Sequence, residues 1–355
     1  MFQKALREYP FYLSVIALIV IGYFEHTLAG SSIGNLIGFF ILFGVIIYSA
    51  LNVAHHAEML AEKFGEPYGT LILTISAVLV EIVIIAIMMI HEHNPTLARD
   101  TVYSAVMLDI NGLLGFAAIV GGIKYGEQPY NVDSSNSYLS MIMVAFGISM
   151  IIPDFLPKES VQKFMIFNVV IFILLYIVFT KIQLLDHKYF FEYRYENKEE
   201  SHHQRANINA IYHSTFLVLS IIMIGLLSEI LSVFMANTLK EFNLPLTLGA
   251  VSVAIISASP ELITAIRAAL ENRMQTVVNI AMGASLATVL LTVPAVIVVG
   301  EVLGLHIELG LTPIQGVMIA LTLLVSMINF NDGETNVLEG FIHFILFIVF
   351  VYLLF

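Results

Sequence analysis

The sequence predicts an all-α integral membrane protein with eleven transmembrane helices, arranged as 1 + 5 + 5 with two inverted-topology repeats. Three observations predict it. The mean hydropathy is +0.90 and only 12% of the 355 residues are charged, against about 25% in soluble domains. Eleven apolar stretches are long enough to cross, or nearly cross, a hydrocarbon core about 30 Å thick as helices, whereas the alternating segments of a barrel are absent. Two of these stretches, centred on single glutamates 180 residues apart, look like copies of one another.

In chain order, the first stretch, 11–28, follows Lys4 and Arg7. It is expected to be retained rather than cleaved as a secretory signal, because ten further spans already commit the chain to the membrane. The stretch 34–60 ends near His55-His56, and 68–90 carries Glu81 as its one charge over Thr70–Ile90. The stretch 100–122 holds Asp109, Asn111, Gly112 and Gly115 and ends on glycine, and 137–153 and 162–185 complete the first half. The one long polar segment, Asp186–Asn207, follows, with Glu192, Glu196, Glu199, Glu200, His187, His202 and His203. Beyond it come 208–236, then 244–269 with Glu261, then 275–300, 312–330 and 334–355. Residues 1–33 thus form a separate first helix, 34–185 a first five-helix repeat, 186–207 a linker and 208–355 a second five-helix repeat. Five is odd, so the halves enter the membrane from opposite sides, which is the inverted repeat that builds alternating access.

Composition narrows the classes further. With no cysteine, thiolate metal sites and disulfides are excluded. The net charge of −12 leaves no basic surface for nucleic acid. Without tryptophan, Tyr and Phe must supply the interfacial belt. Counted on alternating sides of the eleven spans, eleven Lys and Arg lie on the N-terminal side and four on the other, Arg99, Lys158, Lys163 and Lys240. The excess of positive charge marks the cytoplasmic face, so the N-terminus is expected inside and Phe355 outside. The oligomeric state is not legible.

The chemistry is expected at the lone carboxylates. An acidic residue at the centre of a span costs about 2.5–3.5 kcal/mol even on a lenient insertion scale, and no basic residue lies deep in any span to pair with Glu81 or Glu261. Gly69 and Gly249 each stand twelve positions before a glutamate. Ser257 lies one turn before Glu261 and shares its face. Pro260 has no N–H to bond the carbonyl of Ile256, which suggests a broken helix offering a backbone oxygen to a cation. Thr74 shares the face of Glu81, seven residues before it. Ser285 and Thr288 add hydroxyls from a partner helix that also contains Gly283, Ala284, Thr292 and Pro294. Asp109 is either a third titratable group or a packing hydrogen bonder, and the hydroxyls could instead bond their own preceding turns. Carboxylate, hydroxyl and carbonyl oxygens are hard ligands suited to Ca2+, Na+ or H+. Burial favours the neutral form of a carboxyl and a bound cation the ionised form, and that competition is sufficient for cation/proton antiport.

A different class, a membrane-embedded metalloenzyme, would use His55-His56 and His91-Glu92-His93. Neither pair has the His-x-x-x-His spacing of a helical zinc site, and surface or interfacial histidines are expected there.

The run from Val53-Ala54-His55-His56-Ala57-Glu58 through Gly65-Glu66-Pro67-Tyr68-Gly69-Thr70-Leu71-Ile72-Leu73 to Glu81 resembles the calcium/proton exchanger family of the cation/calcium exchanger superfamily. So do Gly283-Ala284-Ser285 through Pro294 and Asp332-Gly333-Glu334-Thr335-Asn336-Val337-Leu338-Glu339-Gly340. The likeness is greatest to the bacterial sodium–potassium/proton and calcium/proton antiporter branch and covers nearly the whole chain. The resemblance implies eleven helices in paired inverted repeats, a bacterial inner-membrane location and export of Ca2+, with Na+ or K+, against protons. It also implies that Glu81 and Glu261 carry cation and proton by turns with no cofactor beyond the transported ions. The family's Gly-Asn-Ala-x-Glu is here Ala77-Val78-Leu79-Val80-Glu81 and Ser257-Ala258-Ser259-Pro260-Glu261. Two amide oxygens are thereby lost, so exclusive Ca2+ selectivity is not implied. Asp109 lies near a position where the family often has an asparagine. A monovalent cation/proton antiporter with little Ca2+ transport is the alternative.

Overall fold

The computed structural model describes residues 8–65, 68–92, 94–186, 189, 191 and 208–355. Most of the predicted linker, His93, and Glu66-Pro67 of the quoted run lie outside the described residues, as does the side chain of Thr70. Each predicted span corresponds to one helix: α1 (Tyr9–Leu28), α2 (Ser32–Phe64), α3 (Tyr68–Glu92), α4 (Leu97–Tyr125), α5 (Val132–Phe155), α6 (Lys158–Asp186), α7 (Ala210–Glu241), α8 (Thr247–Leu270), α9 (Met274–Leu303), α10 (Pro313–Asn329) and α11 (Val337–Tyr352). Among the described residues nine helices are long and apolar enough to cross a membrane, while α10 and α11 have 17 and 16 residues, or about 25 Å at 1.5 Å per residue. Ile33, Ile123, Val302 and Ile328 are among many exposed large apolar side chains, as hydrocarbon-facing surfaces require.

Several helix starts are written into polar residues. Ser31 accepts from the Gly34 N–H at 3.1 Å, and Asn209 from the Tyr212 N–H at 3.2 Å. Thr312 and Gln315 form a reciprocal capping box at α10. Asn336 accepts from Leu338 and Glu339 at the start of α11.

The chain forms two compact units, each drawing on sequence from both sides of the linker. Unit 1 comprises Met1–Leu97 and Glu199–Pro260, and unit 2 comprises Ala98–Lys198 and Glu261–Phe355. The boundary falls inside α8.

In unit 1 the 33-residue α2 and the 32-residue α7 pack along one another. Gly38 makes this approach possible, since a Cβ there would stand 2.7 Å from the Phe234 ring. Polar side chains tie the pair at both ends. Asn35 donates to Glu241 Oε1 at 3.0 Å and accepts from Asn237 at 3.2 Å, and Asn52 donates to Ser220 Oγ at 3.2 Å. A Ser14–Ser49 contact of 2.5 Å joins α1 to α2.

In unit 2, α11 lies against α4 on a face of small residues. A Cβ on Gly115 would come within 2.9 Å of the His343 Cβ and the Phe344 N, and one on Gly340 within 2.7 Å of the Ile119 N and 2.8 Å of the Gly115 O. A short antiparallel pair, β1 (Gln128–Pro129) with β2 (Glu334–Thr335), joins the end of α4 to the segment before α11. Gly333 supplies the positive φ of +80° that turns the chain into β2. The motif Asp332–Gly340 is therefore a turn, a strand, a helix cap and a close-packing glycine in succession.

Gly340→Ala must push the α4 and α11 backbones apart, and overpacking of this kind costs about 1–3 kcal/mol. It should lower the thermal midpoint of the detergent-purified protein. Gly316→Ala, inside α10 and with nothing within 4 Å of its Cβ, should not lower the midpoint and should raise it slightly, since alanine favours a helix over glycine. Asn336→Ala should cost about 1 kcal/mol by the loss of its cap, read in the same melt.

Candidate cation and proton site

The carboxylates singled out by the sequence lie on continuous helices. Glu81 is on α3 and only 3% exposed, and Thr74, seven residues earlier, is half-buried. Glu261 and Ser257 are both half-buried on α8.

The break expected at Pro260 does not occur: α8 is helical from Thr247 to Leu270 with Pro260 in its interior. Ser257 Oγ donates to the Ala254 carbonyl at 3.1 Å and Ser259 Oγ to the Ile255 carbonyl at 2.5 Å. Serine hydroxyls, neighbouring helices and small adjustments commonly let a membrane helix tolerate proline. The Ser257 hydroxyl thus bonds its own preceding turn. Ile256, four residues before the proline, is fully buried.

In unit 2 the structure brings two of the expected residues together. Ser285 Oγ on α9 donates to Asp109 Oδ2 on α4 at 3.3 Å, and both side chains are buried. Each helix departs from α-helical geometry close to this contact, in two of the four π-helical stretches among the described residues. The stretch Leu108–Leu113 of α4 is π-helical, with the Leu114 N–H bonding the Asp109 carbonyl five residues back. The stretch Thr288–Thr292 of α9 is π-helical as well, and there the Val293 N–H bonds the Thr288 carbonyl. Such bulges insert an extra residue, re-aim side chains and frequently occur at functional sites. The two begin 180 residues apart (288 − 108), the same offset as that between Glu81 and Glu261 (261 − 81). No local composition announces a π turn, so the sequence did not reveal them.

Also missed were Thr322 and His343. Asn111, on the same π turn as Asp109, donates to Thr322 Oγ1 at 2.8 Å, and its Oδ1 lies 3.0 Å from His343 Nδ1. All three side chains are buried. The signal for His343 was present: after Glu339 it is the one ionisable side chain in the apolar run to Phe355 apart from Tyr352.

The histidines of the enzyme reading divide. His55 and His91 are exposed as expected, with His91 Nε2 3.5 Å from a Glu229 carboxylate oxygen. His56, expected at the surface or interface, is instead fully buried in unit 1. Its Nδ1 lies 2.9 Å from His213 Nδ1 and its Nε2 3.2 Å from Glu8 Oε2, and Tyr212 also bonds Glu8. These bonds to α7 and to the residue preceding α1 draw it inward, which no count along α2 alone could reveal. Among the described residues no group of three or more His, Asp or Glu is placed to hold a metal ion. At the edge of unit 2, burial and the nearby carboxylates of Asp332, Glu339 and Glu334 push the Tyr130 phenol upward. It remains a neutral donor to the Asn329 and Glu334 carbonyls at 3.2 and 3.4 Å.

The chain is 32% identical to the sodium-potassium/proton antiporter ChaA of Escherichia coli (strain K12) over 316 residues, 87% of this chain and 86% of that protein. It is 23% identical to the Ca2+/H+ antiporter ChaA of Bacillus subtilis (strain 168), covering 84% and 88% of the two chains. Among solved structures, native YfkE superposes with a TM-score of 0.76 at 20% identity, over 97% of this chain and 99% of that one. The exchanger NCX_Mj superposes with a TM-score of 0.58 at 16% identity, over 89% and 97%. At these identities the structural likeness is one of fold. The model of the sodium/calcium exchanger protein family matches residues 34–185 and 213–355, well over half of the chain. The chain therefore belongs to the sodium/calcium exchanger family, as a multi-pass membrane cation/proton antiporter and not an enzyme.

Proposed function

We propose that this antiporter exports Ca2+, and Na+ or K+ as well, in exchange for protons, with Glu81 and Glu261 binding cation and proton by turns. The observation that carries this reading is the pair of lone carboxylates at a 180-residue offset, each within a long uncharged run. An intramembrane carboxylate is retained at a cost of about 2.5–3.5 kcal/mol, which ion binding explains. The two π turns at the same offset, and the two segments matched by one family model, support a duplicated five-helix unit. Asp109, Ser285 and Thr288 are proposed as further oxygen ligands, with Ser257, Thr74 and the Ile256 carbonyl in lesser roles. The orientation proposed from the positive residues places the N-terminus in the cytoplasm and Phe355 outside.

One observation favours a second reading, transport of monovalent cations with little Ca2+. The relative at 32% identity is named for sodium–potassium exchange and the Ca2+ antiporter stands at 23%. The missing amide oxygens beside both glutamates also suit a cation that needs fewer ligands.

In everted membrane vesicles, addition of Ca2+, Na+ or K+ should each evoke proton release. Glu81→Gln and Glu261→Gln should each reduce that release to the level of vesicles without the protein. Full exchange in both variants would remove the assignment. If only Na+ and K+ evoke release, the monovalent reading replaces the broader one. Because proton and cation compete for the same carboxylates, lowering the pH should raise the half-saturating cation concentration, by up to about tenfold per pH unit for each proton displaced. A half-saturation independent of pH would contradict shared carboxylates.

A further inference from the structure

His343 lies one turn beyond Gly340, where α11 presses against α4 with Gly115 in place of any larger residue. It is 1% exposed. One ring nitrogen, Nδ1, is 3.0 Å from Asn111 Oδ1. The other, Nε2, is buried without a hydrogen-bond partner among the described residues. The Phe330 ring stacks on the imidazole at 6.0 Å between centroids and 15° between planes. An apolar side chain would fill this place without burying an unsatisfied nitrogen, and burial of such an atom is unfavourable. The imidazole is therefore not explained by packing.

What it touches is the π turn Leu108–Leu113. A π turn breaks the regular i→i+4 ladder and must be held by its surroundings. Here Asn111 is gripped by His343 of α11 and by Thr322 of α10, while Asp109, two residues earlier, receives the Ser285 hydroxyl of α9. Side chains from three helices thus clamp one irregular turn, and that turn carries a buried carboxylate.

We propose that His343 is a positioning residue for ion exchange: through Asn111 it holds the π turn of α4, and with it the Asp109 carboxylate, in the geometry that takes the cation. The imidazole itself touches no ion. This rests on the reading of Asp109 as a cation ligand.

The test uses the full chain in proteoliposomes with a trapped pH dye, titrating Ca2+ and, separately, Na+. His343→Leu keeps the volume and removes the bond to Asn111. It should raise the half-saturating cation concentration about fivefold or more, as expected for loss of one buried hydrogen bond, with the maximal rate within about twofold. His343→Asn, whose amide reaches the position of Nδ1, should restore half-saturation to near the parent value. If the leucine variant does not fold, His343→Gln, whose amide falls beyond Asn111 Oδ1, replaces it with the same expectation. An unchanged half-saturation in the leucine or glutamine variant overturns the proposal. So does an equal loss of maximal rate in all variants without a shift in half-saturation, which would mark a purely structural histidine. Asp109→Asn separates the two levels. If it exchanges like the parent protein, the reading of Asp109 fails; if it is impaired while the His343 variants are normal, the His343 proposal alone fails.

Discussion

Within hydrocarbon, every backbone polar group must be satisfied by the protein itself and an unsatisfied side chain is costly, because no water is at hand to replace a missing partner. That constraint shapes most of what is seen here. Buried serines return their hydroxyls to the carbonyl four residues back, as Ser49, Ser104, Ser149, Ser228 and Ser326 do at 2.6–3.0 Å. Asparagines and glutamines, with more groups to satisfy, reach between helices and so fix which helices are neighbours. Gln275 alone joins the Asn131 N–H, Ser134 and Asn279. Against this thrift, a carboxylate deep in a span is conspicuous, and that contrast is what the proposed ion-binding role rests on.

The second constraint is backbone approach. Helices in a membrane gain little from the hydrophobic effect against one another, so close packing at small residues decides which of them associate. Gly38 admits Phe234 in unit 1, and the Gly115–Gly340 contact brings α11 onto α4 in unit 2. The latter contact delivers His343 to the irregular turn that bears Asp109. Packing and site chemistry meet at that turn: the glycines set the distance, the Asn111–Thr322–His343 chain holds the bulge, and the bulge carries the carboxylate.

The π turns also bear on the proposed duplication and on how its two halves would differ. Both bulges begin at the same offset as the two glutamates, yet their side chains differ: Asp109 and Asn111 on α4, Thr288 and Thr292 on α9. The glutamate helices differ as well, with a proline before Glu261 and none before Glu81. Under the proposed repeat, matching backbone positions present unequal oxygen sets, and cation preference in general follows from the number and kind of oxygens.

By itself the sequence determined the membrane class, the number and order of the helices, and the identity of the lone carboxylates. These depend on local quantities: the length of an apolar run, the charge within it and the residues that cap it. It also identified the family through motifs such as Asp332–Gly340, whose turn, cap and glycine are again local requirements. Tertiary structure alone decided the rest. It gathered the helices into units that draw on both sides of the linker, kept α8 continuous through Pro260, buried His56, joined Asp109 to Ser285 and placed His343 against Asn111, 232 residues away in the chain. None of these follows from a run or a period: apart from α8, whose serines bond their own preceding turn, each depends on groups from distant segments meeting in the folded chain.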